Sequence, residues 1–321
     1  MSWKIVTKDV DMNDPLVKQL FKEAGDAAPP RYVAEKNEST VVMLPRNPLK
    51  DRCRLCGKEE ILTKEHIPPF SSGNKSRHKI FTLDDWLRDK MIDNPGTKHL
   101  IEQGGIFGYT LCRSCNSLTG RLYGNEYKNW VSRAKEMIDG FGTGTIQTLN
   151  TLVGPFGEEI KFGNKVDGGV CPGAFVRQIL SCMCSLSGAW NLAEKYPVLR
   201  RIILDQSKER LPDGMELGMS LYFGPRIRIV GPQLSVDMKT KTWRWLQEIA
   251  FPPFAFQLAI ASNNNEPGLG LLIDNMTMVS PDEKQSFTGI VEMGFGWSPY
   301  PGDYRSKAAI EFGRKKIIDN F

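Results

Sequence analysis

Apolar residues recur along this chain at two distinct periods, and each period predicts a type of element. Trp3 to Val6 reads as a short strand, after which Asn13 or Asp14 caps a helix with Pro15 in its first turn and Leu16, Leu20 and Phe21 on one face. Helical spacing returns from Asn116 through Tyr123, Tyr127, Trp130, Val131 and Ala134 to Met137, in spite of Gly120 and Gly124. Phe175, Val176, Ile179, Leu180, Met183 and Leu186 predict a well-buried helix over Gly173 to Ala193, and a second follows from Tyr196 to Leu204. Strand signals then run from Leu217 to Phe223, Arg226 to Val230, Leu234 to Met238, Phe254 to Ala261, Leu269 to Ile273 and Gly289 to Met293, separated by turn residues. Antiparallel strands with helices to one side are the natural packing for this order.

The pattern divides where glycines cluster. Gly140, Gly142, Gly144 and Gly154-Pro155 suggest a boundary, giving an N-terminal extension over 1–49, one unit over 50–139 and a second over 150–321. No Gly-Lys-Ser/Thr follows these glycines, which rules out a phosphate-binding loop. The longest apolar stretch, Ala250 to Ala261, is interrupted by Pro252-Pro253 and is too short to cross a bilayer. With 321 residues, 40% hydrophobic and 25% charged, the composition is that of a globular protein and excludes a disordered or fibrous one. No apolar leader follows Met1, so a reducing, cytoplasmic setting with no membrane partner is expected.

Seven cysteines are more than such a setting needs. Four of them form two Cys-x-x-Cys pairs, Cys53-Arg54-Leu55-Cys56-Gly57 and Cys112-Arg113-Ser114-Cys115-Asn116. Two thiolates at this spacing can turn onto one ion, and two such pairs complete the tetrahedral sulfur set that Zn²⁺ favours. Cys182 and Cys184 lie two apart on a predicted helix, point to different sides, and read with Cys171 as packed thiols.

The charge sharpens the picture around the first pair. The formal net charge is +5, and the window 46–79 alone holds nine basic against four acidic residues, an excess equal to that of the whole chain. Such a field attracts polyanions, although a solvated surface is the other reading of a charge cluster. Inside this window lies His66, in Thr63-Lys64-Glu65-His66-Ile67-Pro68-Pro69, with a carboxylate directly before it.

Cys53-x-x-Cys56, Glu65-His66-Ile67-Pro68 and Cys112-x-x-Cys115-Asn116 together resemble the HNH endonucleases, the ββα-metal or treble-clef nucleases, over roughly residues 50–130. The resemblance implies an N-terminal ββα-metal domain built on a structural zinc; it does not reach residues 151–321, where the pattern of strands and helices predicts an α+β domain with a mostly antiparallel sheet, so the fold class expected is α+β. The resemblance also implies hydrolysis of DNA phosphodiesters, with His66 as general base and a Mg²⁺ or Mn²⁺ ion held by Glu65 and Asn116. Asn74 is the candidate for the middle asparagine of the motif, a turn residue being the alternative. Arg54, Lys64, Lys75, Arg77, Lys79 and Arg113 would contact phosphates. Three features depart from the family pattern: Glu65 stands where Asp or His is common, Thr119 replaces a frequent Lys, and the interval from His66 to Cys112 is long enough for an inserted helix at Asp84 to Met91.

A second class competes, a non-catalytic zinc module that binds nucleic acid or protein, with His66 packed beneath the metal. By analogy with nucleases of restriction and antiphage systems, residues 150–321 would sense a signalling nucleotide or a modified base. Trp190, Trp243, Trp245, Trp297 and Tyr300 are the aromatics available for stacking, core packing being the usual role of such residues. Cutting both strands of a duplex would call for a homodimer, since there is one such motif per chain.

Overall fold

A computed structural model describes residues 38–41, 44–81, 100–142, 157–162, 169–221, 227–237, 242–261, 271–285 and 287–292. The expected strand at Trp3, the helix after Asn13, the inserted helix at Asp84 to Met91, Trp297 and Tyr300 lie outside the described residues, as do the side chains of Lys79 and Trp243.

The chain is a mixed α+β protein whose packing centres on one helix. Helix α3 (Pro172–Leu186) is buried at every position, its polar Arg177, Gln178, Ser181 and Ser185 included. On one side, Phe175 stacks on Trp130, with ring centroids 4.1 Å apart and planes 6° from parallel, and more loosely on Tyr127 at 5.6 Å. Both aromatics come from α2 (Gly124–Gly142), which follows α1 (Arg113–Leu122) after a break at Tyr123, so the single helix anticipated from Asn116 to Met137 is two. The sheet supplies Phe254 and Phe256, each within 6 Å of Phe175. Edge and offset contacts of this kind add to the energy of burying the rings.

Arg177 is the one charged side chain inside α3, with 0% exposure. It donates to five carbonyls: Gly173, Ile202, Ser207, Thr277 and Val279. A buried guanidinium is tolerated only when its donors are satisfied, and this one fastens α3 to α5 (Pro197–Leu204) and to the turn at 274–278. Gly173 permits that approach, because a Cβ there would lie 2.4 Å from the Val279 carbonyl. The helix expected to run to Ala193 stops at Leu186. Gly188 and Asn191 take positive φ, and a short α4 (Leu192–Lys195) follows.

Three sheets form. The largest has eight strands in the order β12-β8-β11-β10-β9-β1-β4-β5: β12 (Leu271–Leu272), β8 (Met215–Leu221), β11 (Phe254–Ala261), β10 (Thr242–Phe251), β9 (Ile227–Asp237), β1 (Glu38–Val41), β4 (His78–Phe81) and β5 (Leu100–Glu102). All its pairings are antiparallel except those of β1, which runs parallel to both β9 and β4. Two strands anticipated at 226–238 are one, β9, which bends past a bulge opposite Leu246 and Glu248. Pro252-Pro253 turns β10 back into β11. A small sheet pairs β7 (Gly157–Phe162) with β13 (Phe287–Glu292). The third, β2-β3-β6, joins β2 (Lys50–Arg52), β3 (Glu59–His66) and β6 (Phe107–Cys112) and carries the site.

Segments expected to belong to separate units are interwoven. β1, β4 and β5 extend the sheet built by residues 215–272, and one buried cluster runs from Leu44 through Cys53, Trp130 and Phe175 to Met276. Among the described residues, no helix is long and apolar enough to cross a membrane.

Candidate functional site

The four paired cysteines converge. The sulfurs of Cys53, Cys56, Cys112 and Cys115 all lie within 4.8 Å of one another, and all four thiols are free of disulfides. The turn Cys53–Lys58 closes through Gly57 N–H donating to the Cys53 carbonyl, with Gly57 in the left-handed region at φ 78°. β6 delivers Cys112 to the start of α1, and Cys115 sits in its first turn. The Cys112 N–H donates to the Cys53 sulfur at 3.3 Å. A tetrahedral Zn²⁺ with Zn–S of about 2.3 Å would set its sulfurs about 3.8 Å apart, and Cys56 and Cys112 are 3.8 Å apart. The Cys53 thiol is lowered to about 4 by the hydrogen bond from Cys115 and by backbone N–H groups, against the opposing effect of burial. Four convergent thiols at this spacing suit zinc, and the residues fit it.

The second half of the chain braces this centre. Arg54 donates to the Ser185 carbonyl at the end of α3. Arg200 of α5 donates to the Leu55 carbonyl at 3.0 Å, and Arg52 pairs with Glu194 of α4 at 3.1 Å. Arg54 therefore faces the protein rather than a phosphate, which corrects its expected role. Burial, the largest influence on it, also lowers its pKa.

β3 and β6 form an antiparallel pair whose register slips at Thr110. Thr63 pairs with Leu111, but Lys64 pairs with Tyr109, Glu65 with Gly108 and His66 with Phe107. Successive strand residues face opposite sides, so Glu65 and His66 cannot converge on one point. Glu65 turns inward and is 5% exposed. It accepts from the Ser185 hydroxyl at 2.7 Å and from Thr110 at 3.1 Å. Gly108 opposite it leaves no room for a side chain, since a Cβ would meet Leu44 at 2.8 Å. Burial pushes the Glu65 carboxyl up to about 7, against the opposing bonds from Ser185 and Thr110. The expected magnesium site does not fit this arrangement, because its carboxylate ligand is on the inner side of the β3-β6 pair.

His66 turns outward and is half-buried. Its Nε2 lies 3.0 Å from the Gly104 carbonyl, which can only accept, so the neutral ring carries its hydrogen on Nε2 and its basic lone pair on Nδ1. Burial lowers the His66 pKa, and Lys64 adds to that effect. Phe70 meets the imidazole edge-on with centroids 4.9 Å apart, and Phe107 lies at 5.8 Å. Lys64 is exposed and places its ammonium 3.7 Å from the centre of the Phe107 ring. Arg46 reaches the same ring at 5.6 Å while pairing with Glu102.

Asn74 is fully buried and satisfied, donating to the Pro68 and Ile106 carbonyls and accepting from the Ile106 N–H at 2.7 Å. It is a positioning residue that ties the chain after His66 to the chain before Phe107, and it is not a catalytic one. Gly105 makes the contact possible, because a Cβ there would lie 2.1 Å from the Asn74 carbonyl oxygen. Asn116 donates its amide to the Lys64 carbonyl at 2.8 Å and to Thr63 at 3.1 Å, bracing α1 against β3. Lys75, Arg77 and Arg113 are exposed.

Phe70, Phe107, Thr110 and Ser185 carry no local sequence signal; Gly104-Gly105 carries one, a pair of turn-forming glycines ahead of an apolar run. Trp190 and Trp245, weighed for base stacking, stack on each other at 5.2 Å, with Lys195 over Trp190 at 4.6 Å. No family model matches the chain, and neither do any curated protein or solved structure.

Proposed function

We propose that this chain is a zinc-braced phosphodiester hydrolase acting on DNA, of the HNH type its motifs resemble. The observation that carries the reading is the setting of His66: it lies on the outer face of a strand pair that a four-thiol centre holds in place, with its Nε2 anchored 3.0 Å from the Gly104 carbonyl and the cationic Lys64 nearby. In this reading Nδ1 takes the proton of the attacking water, and the imidazolium that forms keeps its Nε2–H on the Gly104 carbonyl. Lys64 supplies positive charge where the phosphate carries its own, and Lys75, Arg77 and Arg113 extend that field. Zinc serves as scaffold, joining the turn at 53–58 to the start of α1.

One observation favours a second reading, a zinc module that holds nucleic acid without cutting it. Glu65 faces the core, so the carboxylate such nucleases would offer to a divalent cation is missing from the outer face. DNA cleavage by the purified full chain, with and without added Mg²⁺ or Mn²⁺, separates the two. The expected outcome is cutting by the wild type and a loss of at least about 100-fold in His66→Ala, with zinc content and circular dichroism unchanged. Equal cutting by the variant removes the mechanism, and binding without cutting supports the zinc module.

A further inference from the structure

We infer that Phe70 is a stacking platform for an unpaired base at the His66 site, so that the preferred substrate is single-stranded or locally unpaired nucleic acid. The inference rests on the nucleic-acid reading above and adds the form of the strand that binds. Phe70 is one of the few large apolar side chains that the described structure leaves open to solvent, at 50% exposure. It sits on a single 3₁₀ turn (Phe70–Ser72) directly after Pro68-Pro69. Isolated exposed apolar residues are common, but this one is both rigid and aimed.

Its rigidity comes from three constraints. Asn74 clamps the Pro68 carbonyl from within the core. The Ser72 hydroxyl and N–H both donate to the Pro69 carbonyl, at 2.6 and 3.0 Å, and Gly73 N–H donates to the Phe70 carbonyl at 3.2 Å. Its aim follows from the edge-on contact with His66, which covers the imidazole with part of the phenyl and leaves the remainder exposed. A base laid on that ring brings its own sugar-phosphate to the His66 side.

Charge complementarity selects the occupant. Exposed Lys64, Lys75 and Arg77 lie in the segments on either side of Phe70, and Lys64 already rests on the neighbouring Phe107 ring. Cations that track a backbone, alternating with an aromatic that takes a base face, are the arrangement that binds single strands without regard to sequence. A fully stacked duplex offers Phe70 no base face, so a paired strand would gain only the charge.

The test uses the full chain without added divalent metal and a single-stranded oligonucleotide carrying 2-aminopurine, whose fluorescence reports stacking. The wild type is expected to shift that fluorescence on binding. Phe70→Ala should bind the single strand about 5- to 150-fold more weakly and lose the shift, while duplex binding changes little. Phe70→Trp should restore both signals. Phe70→Leu keeps an apolar cover over His66 but has no π face, and should restore neither. A Phe70→Ala protein that binds and shifts fluorescence like the wild type overturns the inference, as does full rescue by leucine. Stacking without any cleavage under Mg²⁺ or Mn²⁺ would instead defeat the hydrolase reading and leave the platform standing.

Discussion

The two faces of the β3-β6 strand pair differ in nearly every respect, although they are made by alternate residues of the same two strands. The inner face holds Glu65, which is wired to Ser185 of α3, 120 residues further along the chain. The outer face holds Lys64, His66 and Phe107 and meets solvent. Consecutive residues thus have opposite fates: burial raises the Glu65 carboxyl to about 7, and burial lowers the pKa of the His66 imidazole. Adjacency in sequence says little about adjacency in chemistry once a residue pair enters a strand, because the pleat separates them by the thickness of the sheet.

The largest expected effect comes from the centre both faces share. Cys112→Ser, or removal of metal with a strong chelator, should cost more stability than the protein has, since structural zinc sites contribute on the order of 10 kcal/mol. The outcome anticipated is loss of the whole cooperative transition by circular dichroism. The four cysteines are embedded in the same core as α3, so unfolding confined to residues 50–139 would show that the two halves are energetically separate after all.

Asn74→Ala acts on the loop that carries the outer face. It removes three hydrogen bonds and leaves the Pro68 carbonyl and the Ile106 N–H without their partner, while the Ile106 carbonyl keeps its bond from the Ile67 N–H, at a cost of about 2 to 4 kcal/mol. Denaturant unfolding measures this, and Asn74→Asp should recover only part of it, because a carboxylate cannot donate to the two carbonyls. A cost below about 1 kcal/mol would mean that water replaces the amide.

The inner face is tested by pH. The Glu65 carboxyl is raised to about 7 in the folded protein against a reference value of 4.5. The folded state therefore binds the extra proton, and the stability this confers is complete below the unfolded value and disappears as pH rises through about 7. Its surroundings include Arg54, Cys53, Cys182 and Cys184. Comparing wild type with Glu65→Gln isolates the carboxyl: the difference in unfolding free energy should move in favour of Gln by up to about 3 kcal/mol between pH 5 and 8. A difference that stays flat would place Glu65 in a wetter environment.

Much of the fold was legible from local signals. The burial of α3 follows from a run of apolar residues at helical spacing, and most of the predicted strands between Leu217 and Ile273 form with shifted ends. β10 is missing from the strands expected from the pattern, because its polar Arg244, Gln247 and Glu248 interrupt the apolar positions. Arg228 and Glu248 are buried and paired at 2.6 Å across β9 and β10, an arrangement that a residue-by-residue hydropathy pattern cannot anticipate. At the site, the cysteines met as their spacing implied, and His66 became accessible. Glu65 and Arg54 went elsewhere because their partners lie on α3.

What the sequence determined alone is therefore what depends on short range: two thiol pairs spaced to turn to one point, a helix rich in apolar residues, and a histidine in a basic window. The tertiary structure decided which way Glu65 points, what Asn74 holds, and that β1, β4 and β5 join the sheet of the second half. These outcomes rest on hydrogen bonds and pairings between residues tens to more than a hundred positions apart. Their energies exist only after the chain has brought those residues together, so no local pattern encodes them.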